Sequence, residues 1–252
     1  MSRATPWIFL RGLTRDSRHW GSFPQMFRQQ IPDAEVVALD LPGNGYLHGE
    51  SSPSGVEAMA TWCREELHRR GIPPPWNVLA MSLGAMVTIA WAARYPQELQ
   101  ACVLINTSVR PFSPFHHRLR PAAYLPVLRM IFTTPGARIC EETILQLTSR
   151  RLDRTRTVLD DWERWRLEQP VSRANALRQL LAAARFCAPV TPPSTRLLVL
   201  ASAQDGLVDT RCSRQLANAW QCDIAEHPDA GHDLPLDDGA WVTAEVRRWL
   251  YS

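Results

Sequence analysis

Short apolar runs near both ends of the chain outline a sheet. Six segments have strand character: Trp7–Leu10, Val36–Asp40, Asn77–Met81, Ala101–Asn106, Arg196–Ala201 and Asp223–His227. Several are almost continuously apolar, the pattern of parallel strands covered on both faces. Helical patterns fill the intervals. Ser54-x-x-Glu57 has the form of a capping box opening a helix that runs to about Arg70-Gly71, ahead of Pro73–Pro75. Leu83–Arg94 is rich in Ala and stops before Pro96. Trp241, Glu245 and Trp249, with Val242 and Val246, recur at helical spacing on a final amphipathic segment. The alternation predicts an α/β fold of about six mostly parallel strands flanked by helices.

Residues 110–188 break the alternation. They lack strand signals and end at a Pro-rich run, Ala188-Pro-Val-Thr-Pro-Pro193. They are expected to form a helical cap inserted after the fourth strand, leaving 1–109 and 189–252 as the core. The cap carries 14 Arg against 7 acidic residues, a charge of +7, whereas the remainder is at −4.

Composition narrows the possible functions. With 252 residues, 45% of them hydrophobic, and ten Trp, the chain can bury a sizeable core and is not a disordered segment. No apolar run approaches the roughly 20 residues of a membrane-spanning helix. The stretch Trp7–Leu10 is too short for a secretory signal, so a cytoplasmic location is expected. Every one of the 28 cationic side chains is Arg. Without Lys there is no Schiff base, no lysine general base and no phosphate-loop lysine. A net charge of +3 leaves no nucleic-acid footprint. The six Cys are scattered, never as Cys-x-x-Cys, and fit buried thiols of a reducing compartment better than a metal site.

Three residues with chemical potential fall just past strand ends, where open α/β sheets build their sites. In Asn77-Val-Leu-Ala-Met-Ser82-Leu83-Gly84, a strand turns directly into a helix at a serine with small residues two positions either side. A helix-capping serine would share this pattern. Asp205 follows the fifth strand in Ser-Ala-Gln-Asp205-Gly-Leu-Val208, and His232 follows the sixth in Asp-Ala-Gly-His232. Either alone fits a solvated loop side chain as well. Together they keep the order Ser, Asp, His of a nucleophile, an orienting acid and a base. Asp209 and Asp233 are rival acids, less suited by loop position.

Two further segments join these. Phe9-Leu-Arg11-Gly12-Leu13 matches a His-Gly-x turn, and Asp40-Leu-Pro42-Gly43-Asn-Gly45 matches an Asp-x-Pro-Gly-x-Gly loop. On these five motifs the chain resembles the α/β-hydrolase superfamily over nearly its whole length. Within the capped serine-esterase branch, Ser82-Leu83-Gly84 and Asp205-Gly-Leu-Val208 are most similar to pimeloyl-acyl-carrier-protein methyl ester carboxylesterases. The resemblance implies Ser82 as nucleophile, His232 as base, Asp205 as its partner, and the backbone N–H groups of Leu13 and Leu83 as an oxyanion hole. Arg11 and Gly12 would lie at the pocket floor. No metal or organic cofactor is implied.

This chain departs from the family in two respects. It begins almost directly on the strand before the His-Gly turn, and Arg11 replaces the usual His. An ion pair of Arg11 with Asp16 or Asp40 is favoured over contact with a substrate carboxylate. Phe112, Phe115, Tyr124, Leu125, Val127, Leu128 and Ile131 are candidates for an acyl pocket or, equally, for packing that only holds the cap down. The expected substrate is a small-molecule ester, free or carried on an acidic acyl carrier protein drawn by the basic cap; an Arg-rich solvated surface is the plainer explanation of that charge. A lyase of the menaquinone-pathway type on the same scaffold, or a non-catalytic binding protein, are the alternatives. Haloalkane and epoxide chemistry would call for Asp at position 82.

Overall fold

The six apolar runs lie side by side in a single parallel sheet. In chain order the strands are β1 (Trp7–Leu10), β2 (Val36–Leu39), β3 (Trp76–Met81), β4 (Leu99–Ile105), β5 (Arg196–Ser202) and β6 (Asp223–His227), arranged β2-β1-β3-β4-β5-β6. All five pairings are parallel. The structure, a computed structural model, describes residues 5–133, 135–151 and 156–252.

Side-chain alternation along the strands divides the core into two layers. Trp7, Phe9, Leu79, Val103 and Leu200 pack with helices α1 (Phe23–Gln30) and α10 (Leu234–Leu250). Ile8, Leu10, Val78, Leu104 and Val199 face the opposite layer, made by α2 (Val56–Arg69), α3 (Leu83–Arg94) and α9 (Arg211–Trp220). The final amphipathic stripe behaves as its spacing predicts, with Val242, Val246 and Trp249 buried. Between β4 and β5, the described residues form α4 (Phe115–Arg118), α5 (Pro121–Thr133), α6 (Ala137–Thr148), α7 (Arg156–Glu168) and α8 (Arg173–Arg185). The only strand-like feature among them is an isolated bridge between Arg110 and Cys187.

Several local expectations need correction. The Ser54–Glu57 capping box does not form: α2 begins at Val56 with Gly55 in extended conformation at the cap, which leaves Ser54 one residue outside. Asp40 lies beyond β2, where its carboxylate accepts the N–H groups of Ser17 (2.6 Å) and Tyr46 (3.1 Å). Asn106 leaves β4 with a φ of 46°. Cys63, Cys102, Cys140 and Cys212 are buried, but Cys187 is exposed and Cys222 partly so; none forms a disulfide. Among the described residues, no helix is long and apolar enough to cross a membrane.

Phe9 stands at the centre of one layer, with ring centroids 5.1 Å from Trp20, 5.6 Å from Phe23 and 5.1 Å from Phe27. Phe9→Ala should cost about 3–5 kcal/mol of unfolding free energy, from lost burial and a cavity that the paired strand cannot collapse to fill. Urea denaturation checks this. A loss below about 1 kcal/mol would contradict such close packing.

Candidate active site

Ser82 occupies the turn between β3 and α3 with φ 53°, a left-handed conformation that is costly for a residue with a Cβ. Its N–H donates to the Ile105 carbonyl (2.9 Å), and its own carbonyl accepts from Thr107 Oγ1 (3.0 Å). The bend allows α3 to begin against the end of β1. At Gly84 a Cβ would stand 2.6 Å from the Leu10 carbonyl oxygen and 2.7 Å from that of Arg11, so only glycine fits without displacement of backbone. A Cβ on Gly12 would stand 3.1 Å from that of Ser82, which sets the Arg11-Gly12-Leu13 turn directly beside the serine. Among the described residues, neither the Leu13 nor the Leu83 backbone N–H has a hydrogen-bond partner.

His232 and Asp205 are brought together by the loops after β6 and β5. His232 Nδ1 lies 2.7 Å from Asp205 Oδ2, and both residues are buried. The other carboxylate oxygen of Asp205 accepts the N–H groups of Leu207 (2.7 Å) and Val208 (2.9 Å). A carboxylate only accepts, so Nδ1 carries a proton, and in a neutral ring Nε2 is an acceptor. Asn106 braces the loops: its Nδ2 donates to the His232 carbonyl (2.8 Å) and to Ser202 Oγ (2.9 Å), and its Oδ1 accepts from the Ser202 N–H (2.8 Å).

The rival acids are engaged elsewhere. Asp209 binds Arg211, whose hydrogen bonds hold its carboxyl well below the usual range. Asp233 forms a two-bond ion pair with Arg11, at 3.1 and 2.5 Å, inside the core. This corrects the partner expected for Arg11. Asp16 is instead taken by Arg18 and His19, and Asp40 by backbone N–H groups. Burial pushes the Asp233 carboxyl up, but the Arg11 charge outweighs it and keeps the group below its ordinary value.

Ser82, His232, Arg11, Gly12 and Leu13 line one cavity of about 390 Å³. Of the seven apolar candidates for its wall, Val127 and Ile131 contribute. Phe115 and Leu125 are 74% and 76% exposed, Leu128 faces largely outward, and Phe112 packs edge-on against Trp220. Tyr124 is absent from the wall too. Met130, Ile144, Leu147 and Val171 take their place. The helical spacing of α5 could not show which of its faces turns inward, because both faces are apolar.

A protein-family model described as "Alpha/beta hydrolase family" matches residues 7–245. The chain belongs to that family. Two curated relatives match in part. One is the "Pimeloyl-[acyl-carrier protein] methyl ester esterase" of Chromobacterium violaceum, 31% identical over 96 residues, which are 36% of this chain and 34% of the relative. The other is the "Biotin biosynthesis bifunctional protein BioHC" of Teredinibacter turnerae, 28% identical over 102 residues, 40% of this chain and 17% of the relative. The matches therefore span about a third or less of these relatives' length. Solved structures share the fold throughout. A thermophilic esterase from Thermogutta terrifontis superposes with a TM-score of 0.77 at 23% identity, over 98% of this chain and 89% of that one. The enol-lactonase of Burkholderia xenovorans does so with a TM-score of 0.80 at 18% identity, over 99% and 92%.

Two residues of this α/β hydrolase that shape the site carry no recognisable sequence signal. Gln179 of α8, fully buried, accepts the Thr14 N–H (2.8 Å) and donates to Asn44 (2.7 Å) and Ser52 (2.9 Å). It thereby holds Thr14 at a φ of 57°, next to Leu13. Asp237 accepts from the Gly231 N–H (2.7 Å), the Arg150 N–H (2.9 Å) and Ser149 Oγ (2.5 Å), fastening the end of α6 to the His232 loop.

Asp233→Asn leaves Arg11 buried and uncompensated and should cost about 3–5 kcal/mol at neutral pH. The folded-state pKa of Asp233 lies below its ordinary value of 3.8. The pair's contribution is thus complete above that value and is lost as the pH falls through the folded-state one. The stability gap between wild type and variant, measured by urea unfolding, should close in acid. A gap of constant size from neutral pH into strong acid would overturn the assignment.

Proposed function

We propose that this α/β hydrolase is a serine esterase that cleaves a carboxylic or thio ester through Ser82, His232 and Asp205. The observation that carries the proposal is the His232–Asp205 bond of 2.7 Å at the wall of the cavity that Ser82 also lines. A serine hydroxyl is a weak nucleophile at neutral pH and needs a base. His232 Nε2, left unprotonated by the Nδ1–Asp205 bond, takes the Ser82 proton as Oγ attacks the ester carbonyl. Asp205 holds that tautomer and stabilises the imidazolium. Among the described residues Ser82 Oγ has no hydrogen-bond partner; catalytic contacts of this kind are often long until substrate binds.

Attack places negative charge on the former carbonyl oxygen. The unengaged N–H groups of Leu13 and Leu83 are the donors offered to it, and loss of one such donor typically costs a few kcal/mol of transition-state stabilisation. The imidazolium then returns its proton to the leaving group. Water, activated by the same base, hydrolyses the Ser82 ester and restores the enzyme.

The partial likeness to the pimeloyl-[acyl-carrier protein] methyl ester esterase of Chromobacterium violaceum supports an ester linked to an acyl carrier protein as one substrate class. The +7 charge of residues 110–188 is suited to steering such an acidic partner. If it does, kcat/KM for a carrier-linked ester should fall steeply between low and high salt, whereas that for a neutral p-nitrophenyl ester should hardly change. Equal salt responses would remove the carrier.

Ser82→Ala should abolish both ester turnover and covalent labelling by a fluorophosphonate probe. Its thermal midpoint should stay within a few degrees of wild type, because only a hydroxyl is lost. Labelling of wild type at another residue, or substantial turnover by the variant, would refute the mechanism.

A further inference from the structure

The cavity wall contains a second charged assembly that ester hydrolysis at Ser82 does not use. Glu141 of α6, 1% exposed, accepts from two arginines at once: Arg15 Nη1 at 2.6 Å and Arg166 Nε at 2.5 Å. Two guanidinium groups share one carboxylate, so the assembly carries a surplus of one positive charge. The neighbouring carboxylates are committed to other partners: Asp233 is matched with Arg11, and Asp16 with Arg18. His19 Nε2, 2.9 Å from Arg15 Nη1, accepts as a neutral ring, since burial and the Arg15 charge lower its pKa to about 4.

The arrangement fixes both arginines and leaves donors unused. Arg15, 7% exposed, lies over the face of Trp162 at 4.2 Å, and its Nη2 is buried without a hydrogen-bond partner. Asn44 Nδ2 donates to the Arg15 backbone carbonyl at 2.9 Å, fixing the main chain as well. Arg166 is 25% exposed and lines the cavity; only its Nε is bonded, so among the described residues its two terminal amino groups have no partner. A planar guanidinium held at Nε presents its remaining N–H groups as a fork, the geometry that grips a carboxylate by two bonds. The same cavity wall that holds this fork and Ser82 also holds apolar side chains, Met130, Ile144 and Leu147 among them.

From this geometry we propose that Arg166, backed by Arg15 and Glu141, is a carboxylate-binding subsite of the same cavity. The preferred substrate is then a hemiester: an aliphatic chain with a free carboxylate at one end and the scissile ester at the other. The proposal rests on the esterase reading, and it specifies which esters that site takes. The free carboxylate supplies the missing negative charge, and the methylene chain lies along the apolar wall. A neutral diester of the same length fills the wall but leaves the charge surplus unmet.

Four comparisons test it. Wild type should cleave monomethyl adipate with a kcat/KM about tenfold or more above that for dimethyl adipate, the scale of one charge-assisted contact. Arg166→Gln should collapse that preference, chiefly through KM. Arg164→Gln removes the same charge from the same helix at a solvent-exposed ion pair with Asp161, and should retain the preference. Adipate itself should raise the thermal midpoint of wild type and not that of Arg166→Gln, a binding readout independent of turnover. Fluorophosphonate labelling of Ser82 with equal cleavage of hemiester and diester, and no adipate stabilisation, would overturn the subsite and spare the esterase. No labelling and no cleavage, with Arg166-dependent adipate stabilisation, would overturn the esterase and keep the anion site. Equal losses in Arg164→Gln and Arg166→Gln would reduce the effect to general surface charge and sink the proposal.

Discussion

The first turn of α3 meets the end of β1 backbone to backbone, and the geometry of the site depends on that contact. Because residue 84 has no side chain, the helix comes within reach of the Leu10 and Arg11 carbonyls. The chain must then bend sharply at Ser82, whose positive φ stores strain of about 1–3 kcal/mol. Burial of α3 offsets that strain. Every residue from Leu83 to Ala92 is buried, and each large aliphatic side chain among them stabilises the fold by about 1.5–3 kcal/mol. A helix buried on all sides fastens one end of the bend, and a central strand fastens the other. The serine is thereby set beside Gly12, with the Leu13 and Leu83 N–H groups flanking the bend.

Charge plays a second role, because the cavity lies between the sheet and the inserted helices and both contribute ions to it. A lone buried charge is expensive, and a buried pair contributes little net stability unless its hydrogen bonds are satisfied. Arg11–Asp233 meets that condition at both terminal nitrogens, though Arg11 Nε is buried without a partner, and the Arg11 guanidinium also lies 4.8 Å from the centre of the Trp20 ring. Arg15–Glu141–Arg166 meets it only in part. It ties the turn after β1 to α6 and α7, so the same residues that join insertion to core also polarise the cavity. Packing alone would favour apolar residues of similar size there.

Much of this architecture is legible in the sequence, for reasons that differ by residue. Apolar runs such as Val78–Met81 and Val103–Ile105 admit little except a strand covered on both faces, and each is one. Ser82 can be placed because it comes directly after such a run; Asp205 and His232 lie further on, in the loops that follow β5 and β6. The partner of Arg11 cannot be placed. It lies 222 residues away, and several nearer carboxylates satisfy the same chemistry on paper. The Ser54–Glu57 box fails because a cap depends on one residue's backbone angles, which the adjacent Gly55 leaves open. The cavity wall is not legible on α5, whose apolar positions are almost continuous apart from Arg129 and so give no clear periodicity to orient it. Gln179 and Asp237 are invisible, since a buried amide or carboxylate gives no pattern until its partners are known.

Arg11 shows how a departure from a family pattern can be absorbed. The resemblance places a histidine there, and a guanidinium is longer, always charged and unable to remain unpaired in the core. Its demand is met by Asp233, the residue directly after His232. One end of the pair therefore belongs to the turn that bears the Leu13 N–H, and the other to the loop that bears the imidazole. The Asp233 N–H in turn donates to the Thr148 carbonyl at 2.8 Å, so the strut continues into α6. A histidine, which reaches less far and can be neutral, would impose no such requirement on position 233. The substitution thus does more than fill the pocket floor. It couples the turn after β1 to the loop after β6, and it uses a buried ion pair that solvent cannot readily break.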